Sequence, residues 1–160
     1  MRRGPRPRTI WATVADNAQV VSSGGSLSAL DLLGPLEVAG GTVYGGTVLR
    51  THLWVDVSAA TTDTGPGVIV GTLVFDKVVA NKPNPNTELN ADWAFWAPLG
   101  PGQSDAVTVV STSILYGRAF DIRSRRIIHG VDEGYFFVLV NIGSANTTVT
   151  INARTLLRLP

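Results

Sequence analysis

Residues 46–57, GTVLRTHLWVDV, alternate two kinds of side chain along their length. Thr47, Leu49, Thr51, Leu53, Val55 and Val57 fall on one face of an extended chain. Val48, Arg50, His52, Trp54 and Asp56 fall on the other. Successive side chains of a strand point to opposite faces, so this period of two predicts a strand with one face in a core and one facing solvent or a partner.

The rest of the chain repeats the theme. Residues 68–75 (VIVGTLVF) are apolar on both faces and predict a central strand covered on both sides. Residues 135–142 (YFFVLVNI) predict a second buried strand, and residues 147–157 a final strand paired beside it across a hairpin loop at 143–146. Residues 9–15 and 19–22 read as two strands around an Asp16-Asn17 turn, closed by Gly24-Gly25. Residues 107–115 read as a strand that continues over 117–123 after a bend at Tyr116-Gly117. Residues 126–128 pair briefly, and a tight turn follows at 131–134. Residues 92–98 (DWAFWAP) fit either a strand or an irregular corner, while 61–67, 81–86 and 100–104 are loops. Residues 27–38 hold Leu27, Leu30, Leu33 and Val38 at partly helical spacing, with Pro35 to open a short helix and Gly40-Gly41 to end it.

Eight or nine strands with closely spaced turn signals predict an all-β fold. It is an antiparallel jelly-roll β-sandwich of about eight strands with one short helix. The expected organisation is a flexible basic arm over residues 1–8 and a single jelly-roll domain over 9–160.

Charge is unevenly spread. The arm, MRRGPRPR, carries Arg2, Arg3, Arg6 and Arg8 and no acid, while the remainder carries nine basic and twelve acidic residues. Pro5 and Pro7 keep the arm from forming a helix. Four phosphate contacts give a salt slope of only about −3 to −4 on duplex nucleic acid, so nucleic-acid contact through the arm is weak. Eleven of the thirteen basic residues are arginine, whose planar fork suits packed and interface positions. No run of about 18 apolar residues is present, and no apolar segment of a secretory signal follows the arginines, so no membrane partner is expected.

Catalytic and metal chemistry find little support. There is no cysteine, which removes thiol nucleophiles, thiolate metal sites and disulfides. His52 and His129 are far apart in sequence, and His52 and Asp56 stand about 13 Å apart along one strand, too far to share an ion. His52 reads as a surface or interface residue and His129 as a turn residue. Asp92, Asp105, Asp121, Asp132 and Glu133 sit at strand ends and turns, where acids are common. No GxSxG turn, GxGxxG or P-loop is present. Asn146-Thr147-Thr148 matches a glycosylation acceptor, which matters only in a secreted protein. The protein is therefore expected not to be an enzyme and to need no cofactor or metal.

Three features point to contacts: the arm, the group Arg118, Arg123, Arg125 and Arg126 around Asp121, and the aromatic surface of Trp54, Trp93 and Trp96 with Phe95. Arg50 and Trp54 share the open face of the 46–57 strand. The candidate interface is Arg2, Arg3, Arg6, Arg8, Arg50, Trp54, Trp93, Trp96, Arg118, Arg123, Arg125 and Arg126.

The order LDLLGPLEVAGG, GGTVLRTHL, ADWAFW, FDIRSRR and the closing ARTLLRLP resembles small virion proteins of phages and environmental viruses. The resemblance, from about Leu30 to Pro160, implies a single jelly-roll capsid or capsid-decoration protein located in the virion. It also implies symmetric assembly with copies of itself and other capsid proteins, and no cofactor. The arm, with four basic residues, is short for packaging a genome and favours a protein-to-protein role. The alternative is a carbohydrate-binding jelly roll in which Trp54, Trp93 and Trp96 offer stacking faces. A β-sandwich hydrolase is disfavoured because no nucleophile and base can be placed together.

Overall fold

The structure, a computed structural model, describes residues 8–25, 30–33, 36–38, 41–43, 45–63, 67–76, 92–123, 125–128 and 133–160. Residues 1–7, and with them Arg2, Arg3 and Arg6, lie outside this set, as do the 81–86 loop, His129 and Asp132.

Twelve strands are described: β1 (Thr9–Val21), β2 (Leu30–Asp31), β3 (Leu36–Val38), β4 (Gly41–Val43), β5 (Gly46–Ala60), β6 (Val68–Asp76), β7 (Asp92–Leu99), β8 (Ala106–Val110), β9 (Ser113–Ile122), β10 (Arg126–Ile128), β11 (Glu133–Asn141) and β12 (Thr147–Arg158). One sheet, hereafter sheet A, has the order β1-β12-β5-β9-β8, with β10 beside the start of β5. Sheet B has the order β2-β11-β6-β7, and β3 and β4 form a separate hairpin. All pairings are antiparallel. Setting aside β3, β4, β8 and β10, the eight remaining strands run first-eighth-third-sixth in sheet A and second-seventh-fourth-fifth in sheet B. That interleaving is a jelly roll, two Greek keys wound around one core.

The core follows from alternation. β12 buries Thr147, Val149, Ile151, Ala153, Thr155 and Leu157 and turns the residues between them outward. From sheet B, Tyr135, Phe137 and Leu139 of β11 and Val68 and Val70 of β6 meet Leu53, Val55 and Val57 of β5. A line of hydroxyls crosses this apolar layer: Tyr135 Oη donates to Thr72 Oγ1 at 2.9 Å, and Thr51 Oγ1 donates to Tyr135 Oη at 3.4 Å. Thr51 in turn meets Thr155 at 3.3 Å. The hydroxyls of Thr51, Thr72, Tyr135 and Thr155 thereby each have a partner, as burial requires. β6 and β11 are apolar on both faces, because Leu73, Phe136 and Val138 form a second buried cluster with Trp93 on the outer side of sheet B.

Several expectations are corrected. The predicted helix over 27–38 is absent among the described residues: Leu30–Asp31 pairs with β11 and Leu36–Val38 with Gly41–Val43. Tertiary pairing there overrides a weak helical spacing already broken by Gly34-Pro35. The helical turn that is described is a single 3₁₀ turn at Pro101–Gln103. The first two predicted strands are one strand, β1, since the Asp16-Asn17 signal marks a register shift between Asp16 and Gln19 rather than a reversal. Likewise, the chain does not bend at Tyr116-Gly117. It reverses at Ser111-Thr112, where Ser111 adopts φ 54, and β8 and β9 form a hairpin.

In β5 the faces change partway. Arg50 lies opposite Leu156 and Val48 opposite Leu157, so Leu49 is an extra residue. This bulge buries Val48, leaves Thr47 and Leu49 part exposed, and restores the expected inward set from Thr51 onward. Finally, β11 and β12 do not pair. They belong to different sheets, and residues 142–146 cross the end of the sandwich between them. Asn141 holds that crossing: its amide donates to Val21 O at 3.0 Å and Ala145 O at 2.9 Å, and its Oδ1 accepts from Gly143 N at 2.9 Å.

Candidate functional site

The outer face of sheet A gathers side chains from four strands that are far apart in sequence. One transverse row reads Thr13 of β1, Arg154 of β12, His52 of β5 and Asp121 of β9, each opposite the next. Alternation puts them outward: the neighbours Ala12, Ala153, Leu53 and Phe120 are buried.

The indole of Trp11, 42% exposed, stacks on the His52 ring with centroids 5.6 Å apart. The Arg154 guanidinium lies over the same indole, 4.7 Å from its centroid, within cation–π range. On the other side of His52, its Nδ1 is 3.7 Å from Asp121 Oδ1. Arg50 grips Asp121 with two parallel bonds, Nε to Oδ1 at 2.6 Å and Nη2 to Oδ2 at 2.7 Å. Arg123 approaches the same carboxylate at 3.5 Å. The hydrogen bond from Arg50, with the charges of Arg50, Arg123 and His52, pulls the Asp121 carboxyl down to about 2, against the opposing effect of desolvation. The Arg50 guanidinium is correspondingly raised, first by its bond to Asp121. A shallow depression of about 420 Å³ beside this group is lined by Thr13, His52, Trp54, Asp121, Asn152 and Arg154.

Trp54 continues the face. Its Nε1 donates to Asp56 Oδ2 at 2.6 Å, and its ring lies over Gly117. A Cβ on Gly117 would stand 2.6 Å from Asp56 Oδ1 and 3.0 Å from Val55 O, so the close approach of β5 requires glycine.

The sequence-predicted residues therefore divide. Arg50, Trp54 and Arg123 lie on this face. Arg8 is exposed just before β1. Arg118 is opposite Val55, on the inward side of β9, with its guanidinium 5.1 Å from the centroid of Phe120. Arg125 is exposed, and Arg126 is placed by its backbone opposite Val48. Trp93 and Trp96 are on β7, in sheet B, where Trp93 packs against Leu73, Phe136 and Val138 and Trp96 is 64% exposed. The three tryptophans thus occupy two sheets and form no common stacking platform. Trp11 and Arg154 are the residues sequence reasoning passed over. Their signal is the same alternation, in TIWATVA and INARTLLR, that marks Trp54.

Elsewhere, Asp105 Oδ2 accepts from Ala119 N at 2.9 Å, a structural use of its carboxylate. Burial, with Asp63 adding to it, pushes the Tyr116 phenol up to about 12. Among the described residues, no group of three or more His, Asp or Glu side chains converges as a metal site would require. No helix there is long and apolar enough to cross a membrane.

No family model matches the chain, and no curated protein matches it. Among solved structures the chain is similar to the Eiger TNF of S. frugiperda, at 12% identity over 97% of this chain and 94% of that one, with a TM-score of 0.37. It is also similar to a protein in particles of Israeli acute paralysis virus, at 9% identity over 96% of this chain and 74% of that one, TM-score 0.35. A third similar chain comes from the infectious bursal disease virus Gx strain, at 11% identity over 96% of this chain and 32% of that one, TM-score 0.31. Chains from virus structures and a TNF thus stand side by side among the structural neighbours. At these scores the likenesses carry no argument about function.

Proposed function

We propose that the protein is a non-enzymatic virion structural subunit that builds, or decorates and stabilises, a capsid shell through protein–protein contacts. The single observation that carries this reading is the outer face of sheet A. Tryptophan and arginine are the residues that most often anchor protein interfaces. Here Trp11, Arg154, His52 and the Arg50–Asp121 pair form one contiguous, exposed group. The jelly-roll strand order and the resemblance of the sequence to small virion proteins supply the class of assembly. Partners are copies of this chain and other capsid proteins. The arm, with Arg2, Arg3, Arg6 and Arg8, adds at most a weak nucleic-acid contact. No cofactor or membrane has a part in this reading.

The test is to mix purified protein with capsids from the virus that encodes it and to follow its sedimentation and its appearance in electron micrographs. Wild-type protein forms ordered oligomers or co-sediments with shells. Trp11→Ala and Arg154→Ala weaken that association while leaving the melting temperature nearly unchanged, since both side chains are outside the core. A strictly monomeric protein that binds no shell overturns the reading.

A further inference from the structure

Apart from the three-residue β10, the two larger sheets end on four described edge strands, β1 and β8 in sheet A and β2 and β7 in sheet B, and an exposed edge is a template for another strand. Three of the four are blunted. β1 carries the register shift between Asp16 and Gln19. β2 is two residues long. β7 contains Pro98 and a register shift opposite Thr72 and Leu73. β8, AVTVV, has no charge, no proline and no shift within its pairing, and all five of its residues are exposed.

The backbone of this edge has a definite pattern. In a hairpin closed by two residues, the flanking pair exchanges both hydrogen bonds, and bonded and non-bonded pairs then alternate. Val110 opposite Ser113 is that flanking pair. Ala106, Thr108 and Val110 therefore direct their amide groups to β9, and Val107 and Val109 direct theirs away from the sheet. The side chains of Val107 and Val109 lie on the side of Tyr116 and Ile114, which further along the sheet is core. Here they remain 47% and 62% exposed.

We propose that β8 pairs antiparallel with β8 of a second copy of this chain, about a two-fold axis at Thr108. In that register Val107 faces Val109 of the second copy, and Val109 faces its Val107. Both pairs are of the bonded type, so all the outward N–H and C=O groups of the two valines are used at once. An axis at Val107 or Val109 would set one of these valines opposite residue 105 or 111, beyond the end of the strand. Charge agrees: the strand is neutral, and Asp105 meets the uncharged Ser111, so no like charges are opposed across the seam. A strand seam alone covers less than the ~800 Å² per partner typical of stable complexes, so the dimer is weak and concentration-dependent. Such a contact is strengthened when other contacts hold the copies together. It uses the edge of sheet A opposite β1 and does not depend on the reading of the Trp11 face.

The test uses sedimentation equilibrium of the full chain up to about 1 mM, a concentration that reports even weak pairing. Wild-type protein shifts toward dimer, and the amide protons of Val107 and Val109 gain exchange protection with concentration. Val107→Lys/Val109→Lys and Val107→Glu/Val109→Glu are each monomeric, with circular dichroism confirming the fold. An equal mixture of the two regains the dimer, because each lysine then faces a glutamate. A wild type that stays monomeric, with unprotected valine amides, leaves the edge to some other strand and overturns the self-pairing. A lysine variant that dimerises as wild type does, or a mixture that stays monomeric, also overturns it.

Discussion

Asn141→Leu isolates the contribution of the crossing between sheets. Asn141 is completely buried. Its side chain makes three hydrogen bonds, to the carbonyls of Val21 and Ala145 and from the amide of Gly143. Leucine has similar bulk, so little cavity forms, and the change is chiefly the loss of those bonds. A typical bond contributes about 0.5–1.5 kcal/mol net, so three give about 3 kcal/mol, more where a buried partner is left unsatisfied. For a domain of this size, 1 kcal/mol corresponds to about 2–4 °C, so the melting temperature falls by about 6–12 °C. Urea denaturation followed by circular dichroism measures this directly, with the midpoint falling and the slope unchanged. Asn141→Asp is at least as damaging, because its second carboxyl oxygen would face the two carbonyls. A loss below about 1 kcal/mol for the leucine variant would refute the reasoning, since all three partners would then have found other bonds.

Three further perturbations address the core, the strand contact and the arginine face. Tyr135→Phe removes the hydroxyl that joins Thr72 and Thr51 across the core and costs about 1 kcal/mol in the same denaturation assay; an unchanged midpoint would show the hydroxyl line to be dispensable. Gly117→Ala sets a Cβ 2.6 Å from Asp56 Oδ1 and displaces that carboxylate, costs about 1–3 kcal/mol, and shifts the Trp54 indole N–H resonance as its bond to Asp56 breaks; an unmoved resonance would contradict the close approach. Asp121 titrates near 2 rather than 3.8, as carbon NMR of its carboxyl will show, and Arg50→Gln returns the midpoint toward 3.8. Because this carboxyl is depressed in the fold, the pair's stabilisation is present above pH 3.8 and is lost as pH falls toward 2; a wild-type midpoint already at 3.8 would refute the pairing.

Strands were legible wherever one face is covered. The alternation in residues 46–57 and 147–157 is the imprint of burial on one side, and the continuous apolar run at 135–142 reflects cover on both. What local pattern does not carry is which strands pair. Residues 143–146 look like a hairpin loop because they hold Gly and Asn, yet the chain uses them to change sheets, and only the packing of Tyr135, Phe137 and Leu139 against β5 and β12 decides that. Conversely, the β8–β9 hairpin turns on Ser111-Thr112, a pair without glycine or asparagine, so the turn chemistry that usually announces a hairpin is missing. The bulge in β5 is equally silent: nothing in VLRT says that Leu49 is the extra residue. The ion pair of Arg50 with Asp121 joins positions 71 apart, so the partner of Asp121 is fixed by strand order rather than by its arginine-rich neighbourhood. Within that neighbourhood, a one-residue alternation sends Arg118 inward and Asp121 outward.

The jelly-roll order also changes what the charge asymmetry means. Read along the chain, basic charge belongs to the arm and acidic charge to the body. In the fold, β1 and β12 lie side by side, Thr9 opposite Arg158, and Leu159 N donates to Arg8 O at 2.8 Å. Arg8 is therefore held where the last strand ends. Two strands in from that edge, Arg50 lies opposite Leu156, and Arg154 is one row further along. Arg123 follows the end of β9, in the same direction. Chain termini and mid-chain strands thus deliver arginines to one end of sheet A, whereas Asp56 and Asp105 lie further along it, beside Gly117. The positive field has a place as well as a sign, and it adjoins Trp11. Fields from exposed charges are screened beyond about 8–10 Å at ordinary ionic strength, so clustering at one end preserves a local attraction that scattered arginines would lose. On the proposed reading, an acidic surface is drawn to the end of the sheet that holds Trp11, and raising salt slows that approach more than it loosens a formed contact.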